Sequence, residues 1–185
     1  MSLSIQIAEN AVVSSKTNIA LIGFMGAGKS TVGKALAQKL RMEFVETDRL
    51  IVEKTGKTIP QIFQNDGETF FRSAEIEVIR EIFERDRLII ACGGGVVLNA
   101  ININRLRERS VIVYLYASME EIIKRIRNDS SQRPLIDETN TENGVRSLMR
   151  FRAPLYRRSA DITINVTNKS VEQIVDSIID RLIIK

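Results

Sequence analysis

The chain has 185 residues, 44% of them hydrophobic and 27% charged, with a formal net charge of +4, which favours one soluble globular domain with a sizeable core. Only 5% of the residues are aromatic and no apolar run is long enough to span a bilayer, so we expect neither a nucleic-acid partner nor a membrane partner. The chain contains no histidine, which excludes His-dependent catalytic triads, imidazole general bases and the most common transition-metal ligand.

The first third of the chain alternates between strand and helix patterns. Residues 1–16 are predicted to form a flexible N-terminal extension, followed by a single domain over residues 17–185. The apolar run Asn18–Gly23 predicts a buried strand, and the spacing of apolar residues in Lys29–Leu40 predicts a helix. A short second strand is predicted at Glu43–Thr47.

Capping signals mark the next two helices. The residues Thr58-Ile59-Pro60-Gln61 have the spacing of a capping box, with proline in the first turn. Asp66 is predicted to cap a long helix. The apolar residues that recur at helical intervals there are Phe70, Ile76, Ile79 and Phe83.

Strands and helices continue to alternate in the middle of the chain. A strand is predicted at Leu88–Cys92, a helix from Asn99, and another strand at Val111–Tyr116. A second capping box starts at Ser118 and opens a helix that is predicted to reach Asn128.

The last third begins with a polar, turn-rich segment at about residues 129–143, which we expect to be a mobile lid. A helix to Arg157, a strand at Ile162–Ile164 and a final helix capped at Ser170 complete the chain. Strands separated by helices predict a three-layer α/β sandwich with a central parallel sheet. Ligands of such sheets bind at the carboxyl ends of the strands. No long exposed apolar helix face is evident, so we expect a monomer.

A phosphate-binding loop follows the first strand. The segment GFMGAGKS, residues 23–30, matches the pattern G-x-x-x-x-G-K-[ST] between a strand and a helix. Backbone N–H groups of the loop would hold the phosphates of a nucleoside triphosphate, Lys29 would reach the outer phosphates, and the Ser30 hydroxyl would bind Mg²⁺. The ATP-binding residues predicted from this motif are Gly26, Ala27, Gly28, Lys29, Ser30 and Thr31.

The rest of the chain favours a small-molecule kinase among the proteins that carry this loop. The Asp-x-x-Gly switch of GTPases is absent, and Asn168-Lys169 lacks the aspartate that would complete a guanine-binding motif. The later predicted strands do not end on the aspartate of motor-type ATPases. Acidic residues instead follow the second strand, in FVETD, residues 44–48. This pattern predicts a fold like that of the nucleoside-monophosphate kinases.

Three consecutive glycines, Gly93, Gly94 and Gly95, follow the strand that ends at Cys92. They form either a loose connection or a backbone that another group approaches closely, since glycine alone has no Cβ. Cys92 is the only cysteine, so no internal disulfide can form. With no recognisable secretory signal, this predicts a cytoplasmic protein. We expect Cys92 to be a buried strand residue rather than a reactive thiol.

Four charged residues have two interpretations each. Arg72 and Arg152 lie on predicted helices and are either solvated surface residues or ligands of an anionic acceptor. Glu46 and Asp48 either cap the following helix or take part in the chemistry.

Together these segments resemble the shikimate kinase family over nearly the whole chain, from about Lys16 onward. The motifs that carry the resemblance are GFMGAGKST, TGKTIPQIFQNDGETFFR, ACGGGVV, RPLI and FRAPLYRRSAD. The resemblance implies a phosphate-loop NTPase fold and ATP-dependent phosphorylation of shikimate at its 3-hydroxyl. It also implies Mg²⁺ as cofactor and a place in aromatic amino-acid biosynthesis.

The resemblance also implies roles for individual residues on the acceptor side. Asp48 binds the ring hydroxyls and lies near the one that attacks, while Arg72 and Arg152 bind the carboxylate of shikimate. Gly93, Gly94 and Gly95 then form the floor of the acceptor pocket. Arg133, in RPLI, corresponds to the lid arginine that neutralises charge on the transferred phosphoryl group.

The sequence departs from the family pattern in two places. Glu46 stands where the family usually has aspartate, so its contact with Mg²⁺ through water is an expectation. Either Arg125 or Arg127 packs on adenine, and Lys169 lies where the family makes a further nucleotide contact. Glu75, one turn after Arg72, either pairs with the arginines or is a plain surface acid.

Other functions are compatible with the phosphate loop alone. A gluconate kinase or a nucleoside-monophosphate kinase would bind a different acceptor. A nucleotide-dependent switch module would bind ATP or GTP without acceptor-stimulated turnover, and an inactive homologue would lack turnover altogether.

Overall fold

The computed structural model describes residues 16–127 and 141–183. Within them, one sheet contains five parallel strands: β1 (Asn18–Ile22), β2 (Glu43–Glu46), β3 (Leu88–Ala91), β4 (Ser110–Tyr116) and β5 (Ile162–Asn165). The helices are α1 (Lys29–Leu40), α2 (Thr47–Thr55), α3 (Ile59–Asn65), α4 (Gly67–Phe83), α5 (Ala100–Arg109), α6 (Met119–Arg127), α7 (Thr141–Ser159) and α8 (Val171–Ile183). A short 3₁₀ helix at Val96–Leu98 precedes α5.

Helices cover both faces of the sheet. Every residue of β1 and β3 is buried, which is typical of parallel strands whose two faces are both covered. The outer strands β2 and β5 are only partly buried. The predicted α/β sandwich with a central parallel sheet is therefore confirmed.

The strand order β2-β3-β1-β4-β5 brings three loops together. Leu21 of β1 and Glu46 of β2 are both in register with Ala91 of β3. The segments that follow these three strands therefore lie side by side at one edge of the sheet. Two of them are the phosphate loop and the triple glycine.

Three of the four predicted helix caps, those at Thr58, Ser118 and Ser170, are confirmed. Thr58 and Gln61 form a complete capping box at α3, and Ser118 Oγ accepts a hydrogen bond from the backbone N–H of Glu121 at 3.2 Å. The predicted capping role of Asp66 is wrong. Both of its carboxylate oxygens bind Lys57 Nζ at 2.8 Å, and its backbone is helical (φ −114°, ψ −17°) instead of extended as in an N-cap.

The buried face of α4 only partly matches the predicted apolar residues: Ile79 is buried, and Ile76 and Phe83 are half-buried. Phe70 is 43% exposed, whereas the next residue, Phe71, is buried. The buried face also contains Glu75, Val78 and Ile82. Because Glu75 is charged, a count of hydrophobic residues does not assign its position to the buried face of the helix.

The start of α7 overlaps the end of the predicted lid. Helix α7 begins at Thr141, so residues 141–143 of the expected lid are helical, and an ion pair between Glu142 and Arg146 at 2.8 Å supports the first turn. The rest of the predicted lid, including Arg133, lies outside the described residues, as do residues 1–15. Lys16 Nζ pairs with Asp161 at 3.1 Å. Across the described ranges, every helix is too short or too polar to cross a membrane.

Candidate active site

A cavity of about 580 Å³ lies at the carboxyl ends of β1, β2 and β3. The phosphate loop and the start of α1 form one wall, and Glu46, Asp48 and Gly94 face them. Lys169 and the first turn of α8 contribute from the far end of the chain. Segments that are distant in sequence thus converge where the fold class predicts a ligand.

The phosphate loop leads directly into α1. Gly28 is the N-cap of this helix, with a left-handed backbone (φ 89°, ψ 17°) and no side chain to cap the first turn. Lys29 Nζ donates hydrogen bonds to the carbonyl oxygens of Gly23 at 2.9 Å and Phe24 at 3.0 Å, so its ammonium lies along the loop. The uncapped backbone N–H groups and the ammonium together make an anion site.

Ser30 and Glu46 bring together two oxygen groups suited to a hard cation. The Ser30 hydroxyl, on the first turn of α1, donates a hydrogen bond to Glu46 Oε1 at the end of β2. In the part of the chain that the structure describes, no group of three or more Asp, Glu, Cys or His residues is placed to hold a metal ion. This donor set fits Mg²⁺, which is commonly bound through one or two protein oxygens together with substrate phosphates and water.

Asp48, at the start of α2, lines the same cavity as Glu46. Its Oδ1 atom is buried and accepts no hydrogen bond from the described residues. Burial raises the pKa of this carboxyl above its usual value, and the positive charges of Lys29 and Arg72 oppose that shift. A carboxylate with an unused acceptor and a raised pKa is suited to accept a proton from a hydroxyl.

Two arginines and one glutamate form a buried charged cluster beside Asp48. Arg72 Nη1 donates to Glu75 Oε2 at 3.3 Å, while Arg72 Nη2 donates to Glu68 at 2.9 Å. Glu75 is fully buried, and this burial raises its pKa to about 7 against the opposing effect of Arg72. Arg152 is 3% exposed and donates from Nη1 to the carbonyl oxygen of Gly94 at 3.3 Å.

These contacts decide between the interpretations left open by the sequence. Glu75 pairs with Arg72 and is not a surface acid. Arg152 is not a solvated surface residue, and only 16% of the Arg72 side chain is exposed. Cys92 is buried, and burial raises the pKa of its thiol, so it is not a reactive thiolate.

The triple glycine is a point of close approach. A Cβ on Gly93 would lie 2.5 Å from Asp48 Oδ1, and a Cβ on Gly95 would lie 2.6 Å from Arg72 Nη2. Both distances are too short for a side chain, so two charged groups occupy the space that the glycines leave. A Cβ on Gly94 would meet its nearest neighbour, the backbone nitrogen of Met25, at an ordinary 3.6 Å. The interpretation as a loose connection is therefore wrong.

The two candidate adenine arginines lie in different places. Arg125 lines the cavity, donates from Nη1 to the carbonyl oxygen of Gly26 at 3.0 Å, and pairs with Glu121 at 2.7 Å. The Arg127 side chain is 68% exposed and pairs with Glu142 on α7. Of the two, the geometry brings only Arg125 to the phosphate loop.

Sequence reasoning missed four residues of this region. Val171 and Ile174 line the cavity from α8. Thr47 accepts a hydrogen bond from the backbone N–H of Gly93 at 2.8 Å, and Tyr156 donates to the carbonyl oxygen of Gly94 at 2.5 Å. Their positions in the sequence could have indicated two of them. Thr47 lies between the candidate acids Glu46 and Asp48, and Tyr156 lies one helical turn after Arg152.

Comparison with known proteins agrees with this geometry. The family model for shikimate kinase matches residues 25–183. The shikimate kinase of Acinetobacter baumannii (strain AYE) is 40% identical over 166 residues, which cover 90% of this chain and 92% of that protein. The shikimate kinase of Hahella chejuensis is 41% identical over 170 residues, covering 92% of this chain and 88% of that protein.

A solved structure extends the comparison to three dimensions. The shikimate kinase from Acinetobacter baumannii in complex with shikimate matches with a TM-score of 0.87 at 39% identity, covering 93% of this chain and 96% of that one. Family match, sequence identity and fold similarity all extend over most of the chain. The chain therefore belongs to the shikimate kinase family.

Proposed function

We propose that this protein transfers the γ-phosphoryl group of ATP to the 3-hydroxyl of shikimate, giving shikimate 3-phosphate and ADP. The observation that carries the proposal is the arrangement at one sheet edge. An anion-binding loop, a carboxylate with a free acceptor oxygen and two partly or wholly buried arginines lie together there. The Acinetobacter baumannii relative, solved with shikimate, supports the choice of acceptor.

On the donor side, the phosphates of ATP are bound by the loop residues Gly26, Ala27, Gly28, Lys29, Ser30 and Thr31. Their backbone N–H groups and the Lys29 ammonium stabilise negative charge that develops during transfer. Arg125 packs on adenine, and Lys169 makes a further contact with the nucleotide. Both side chains line the same cavity as the loop.

The adenine assignment predicts different results for two arginines on one helix. We expect Arg125→Ala to raise the KM for Mg-ATP about tenfold, since it removes a cation that packs on an aromatic base. Arg127→Ala, two residues on, should change that KM less than twofold, because its guanidinium pairs with Glu142 outside the cavity. Steady-state kinetics at saturating shikimate measures both. Equal changes in the two variants would contradict the assignment.

Ser30 would hold Mg²⁺ directly, and Glu46 would hold it through water. When bound, the ion would screen the charge of the phosphates. The hydrogen bond between Ser30 and Glu46 supports this pairing, since it brings together an oxygen of α1 and an oxygen at the end of β2. The longer side chain of Glu46, compared with aspartate, reaches the Ser30 hydroxyl.

This assignment predicts a change in metal dependence. We expect Glu46→Gln to raise the Mg²⁺ concentration for half-maximal activity about fivefold to tenfold, because an amide lacks the carboxylate charge. Glu43→Gln, at the exposed start of the same strand, is the matched control and should leave the titration unchanged. The measurement is activity against free Mg²⁺ at constant ATP. Superimposable curves for Glu46→Gln and the wild-type protein would rule the role out.

On the acceptor side, Arg72 and Arg152 bind the carboxylate of shikimate, and Gly93, Gly94 and Gly95 lie against its ring. The planar guanidinium groups of Arg72 and Arg152 suit a planar carboxylate, which they can bind through paired hydrogen bonds. A glycine backbone also allows a rigid ring to lie close to the main chain.

Asp48 orients the attacking hydroxyl and accepts its proton as the new P–O bond forms. Its raised pKa makes it a better proton acceptor than an ordinary carboxylate. Arg133, which lies outside the described residues, neutralises charge on the phosphoryl group. The single cysteine leads us to expect a cytoplasmic enzyme, and the lack of a long apolar helix face in the sequence leads us to expect a monomer.

The proposal is tested by measuring ADP release from Mg-ATP with shikimate, gluconate and AMP offered separately. We expect strong stimulation by shikimate alone. Stimulation by gluconate or AMP instead would keep the phosphate-loop interpretation and overturn the acceptor assignment. Nucleotide binding without stimulation by any acceptor would favour a switch module or an inactive homologue.

A further inference from the structure

Two hydroxyl groups from distant parts of the chain hold the triple glycine. Its other carbonyl bonds are local: Gly93 O accepts from Val96 N at 3.1 Å, and Gly95 O accepts from Leu98 N at 2.9 Å. The N–H of Gly93 and the carbonyl of Gly94 are different. They bond to Thr47 Oγ1 and Tyr156 Oη, which are 46 and 62 residues away in sequence.

Thr47 supplies a bond that the sheet no longer provides. The ladder between β2 and β3 ends at the pair Glu46 and Ala91. One residue later, Cys92 N donates to Leu21 O of β1 at 3.0 Å, and the next N–H, that of Gly93, donates to Thr47 Oγ1. Thr47 is fully buried. Without its hydroxyl, a buried N–H group would lose its partner.

Tyr156 holds the other side of the same turn. Its ring is buried and stacks on Tyr114, with centroids 5.1 Å apart and an interplanar angle of 18°. Tyr156 and Arg152, one turn apart on α7, both donate to Gly94 O. Burial raises the pKa of the Tyr156 hydroxyl, so it remains a hydrogen-bond donor over the whole working range of pH.

We propose that Thr47 and Tyr156 form a hydroxyl clamp that fixes the glycine turn and, through it, the acceptor-binding groups. The inference rests on the proposed function. A Cβ on Gly93 or Gly95 would collide with Asp48 or Arg72, so the turn lies close to both side chains and a shift of the turn towards them displaces them. Tyr156 and Arg152 both donate hydrogen bonds to the carbonyl oxygen of Gly94. A shift of this carbonyl would therefore also move the guanidinium group of Arg152.

Both residues are positioning residues, since each acts through the turn and not on the substrate. Their loss should therefore weaken the binding of shikimate and leave that of the nucleotide unchanged. A residue that only stabilises the fold would lower the melting temperature without separating the two substrates. The ratio of the two KM values is thus the informative quantity.

The first test compares Tyr156→Phe with Tyr114→Phe. Each variant removes one hydroxyl from the same stacked pair, and only Tyr156 bonds to the glycine turn. We expect Tyr156→Phe to raise the KM for shikimate about tenfold and the KM for Mg-ATP less than twofold. Tyr114→Phe should change both values less than twofold. Equal KM values for shikimate in the two variants would overturn the clamp.

The second test uses Thr47→Val and Thr47→Ser. Valine keeps the shape of threonine without the hydroxyl, and serine keeps the hydroxyl without the methyl group. We expect valine to raise the KM for shikimate fivefold to tenfold and serine to preserve it within twofold. An equal rise in both variants would assign the effect to packing and overturn the role of the hydroxyl.

The double variant Thr47→Val/Tyr156→Phe gives a further check. Because both hydroxyls hold one turn, the combined increase in KM should be smaller than the product of the single increases. A full product would mean that the two residues act independently, which contradicts a shared clamp. If the wild-type protein has no shikimate-dependent turnover, the proposed function and the clamp both fail. If the wild-type protein phosphorylates shikimate and the variants have the same KM for shikimate as the wild-type protein, the clamp alone fails.

Discussion

Asp48→Asn is expected to lower kcat for shikimate phosphorylation about 10³-fold, with a much smaller rise in the KM for shikimate. The amide keeps the shape of the side chain and can still bind ring hydroxyls, but it cannot accept the proton of the attacking group. Steady-state kinetics with shikimate as the varied substrate measures both constants. Asp180→Asn, on the exposed face of α8, is the control and should have wild-type kinetics.

Thermal unfolding distinguishes this catalytic loss from misfolding. Burial raises the pKa of Asp48, which means that folding penalises its charged form. That penalty is present at neutral pH, above the unfolded pKa, and an amide removes it. The melting temperature of Asp48→Asn should therefore equal or exceed that of the wild-type protein. Wild-type turnover in this variant, or an inactive variant that is unfolded, would contradict the account.

Lys29→Met should have the second large effect, a loss of about 10³-fold in kcat with shikimate. The ammonium lies along the phosphate loop through bonds to the carbonyl oxygens of Gly23 and Phe24, where negative charge develops on the transferred group. Methionine keeps most of the side-chain volume and removes the charge. Saturating ATP should not restore turnover, because the lost interaction is strongest in the transition state.

Lys34→Met is the matched control for Lys29. Lys34 lies on the same helix, is exposed, and has its ammonium 5.9 Å from the centre of the Phe44 ring, away from the cavity. This variant should keep kcat within twofold of the wild-type value. Comparable losses in both lysine variants would indicate damage to α1, and activity of Lys29→Met within tenfold of wild type would exclude the proposed role.

The layers of the fold were predictable because each strand carries its own signal. The apolar runs of β1 and β3 mark strands buried on both faces, and the helices between strands imply parallel pairing. The order of the strands was not predictable in the same way. The strand order depends on the side of β1 on which each following strand is added. No short sequence pattern indicates that side.

Helix α4 illustrates where a periodicity argument fails. Phe70 and Phe71 are adjacent, so composition alone cannot decide which one faces the core. The buried face contains Glu75, a carboxylate that pairs with Arg72 and that a hydrophobicity count would place in solvent. A polar residue at a functional site thus breaks the local hydrophobic pattern.

The site was predictable to different degrees for similar reasons. The phosphate loop is local, so its residues could be assigned from a motif of eight positions. Arg152 is buried through a contact with Gly94, which is 58 residues away, and only the family resemblance indicated its role. Arg125 and Arg127 differ by two positions, and their directions on α6 decide which one reaches the loop.

The central claim is that the phosphoryl group reaches a hydroxyl of shikimate. The most direct measurement is ³¹P NMR of the reaction with Mg-ATP, shikimate and the wild-type protein. We expect a phosphomonoester signal that grows in step with ADP and couples to the ring proton at carbon 3. Inorganic phosphate alongside ADP, with no phosphomonoester signal, would mean that shikimate merely stimulates hydrolysis, and it would contradict the roles given to Asp48, Arg72 and Arg152.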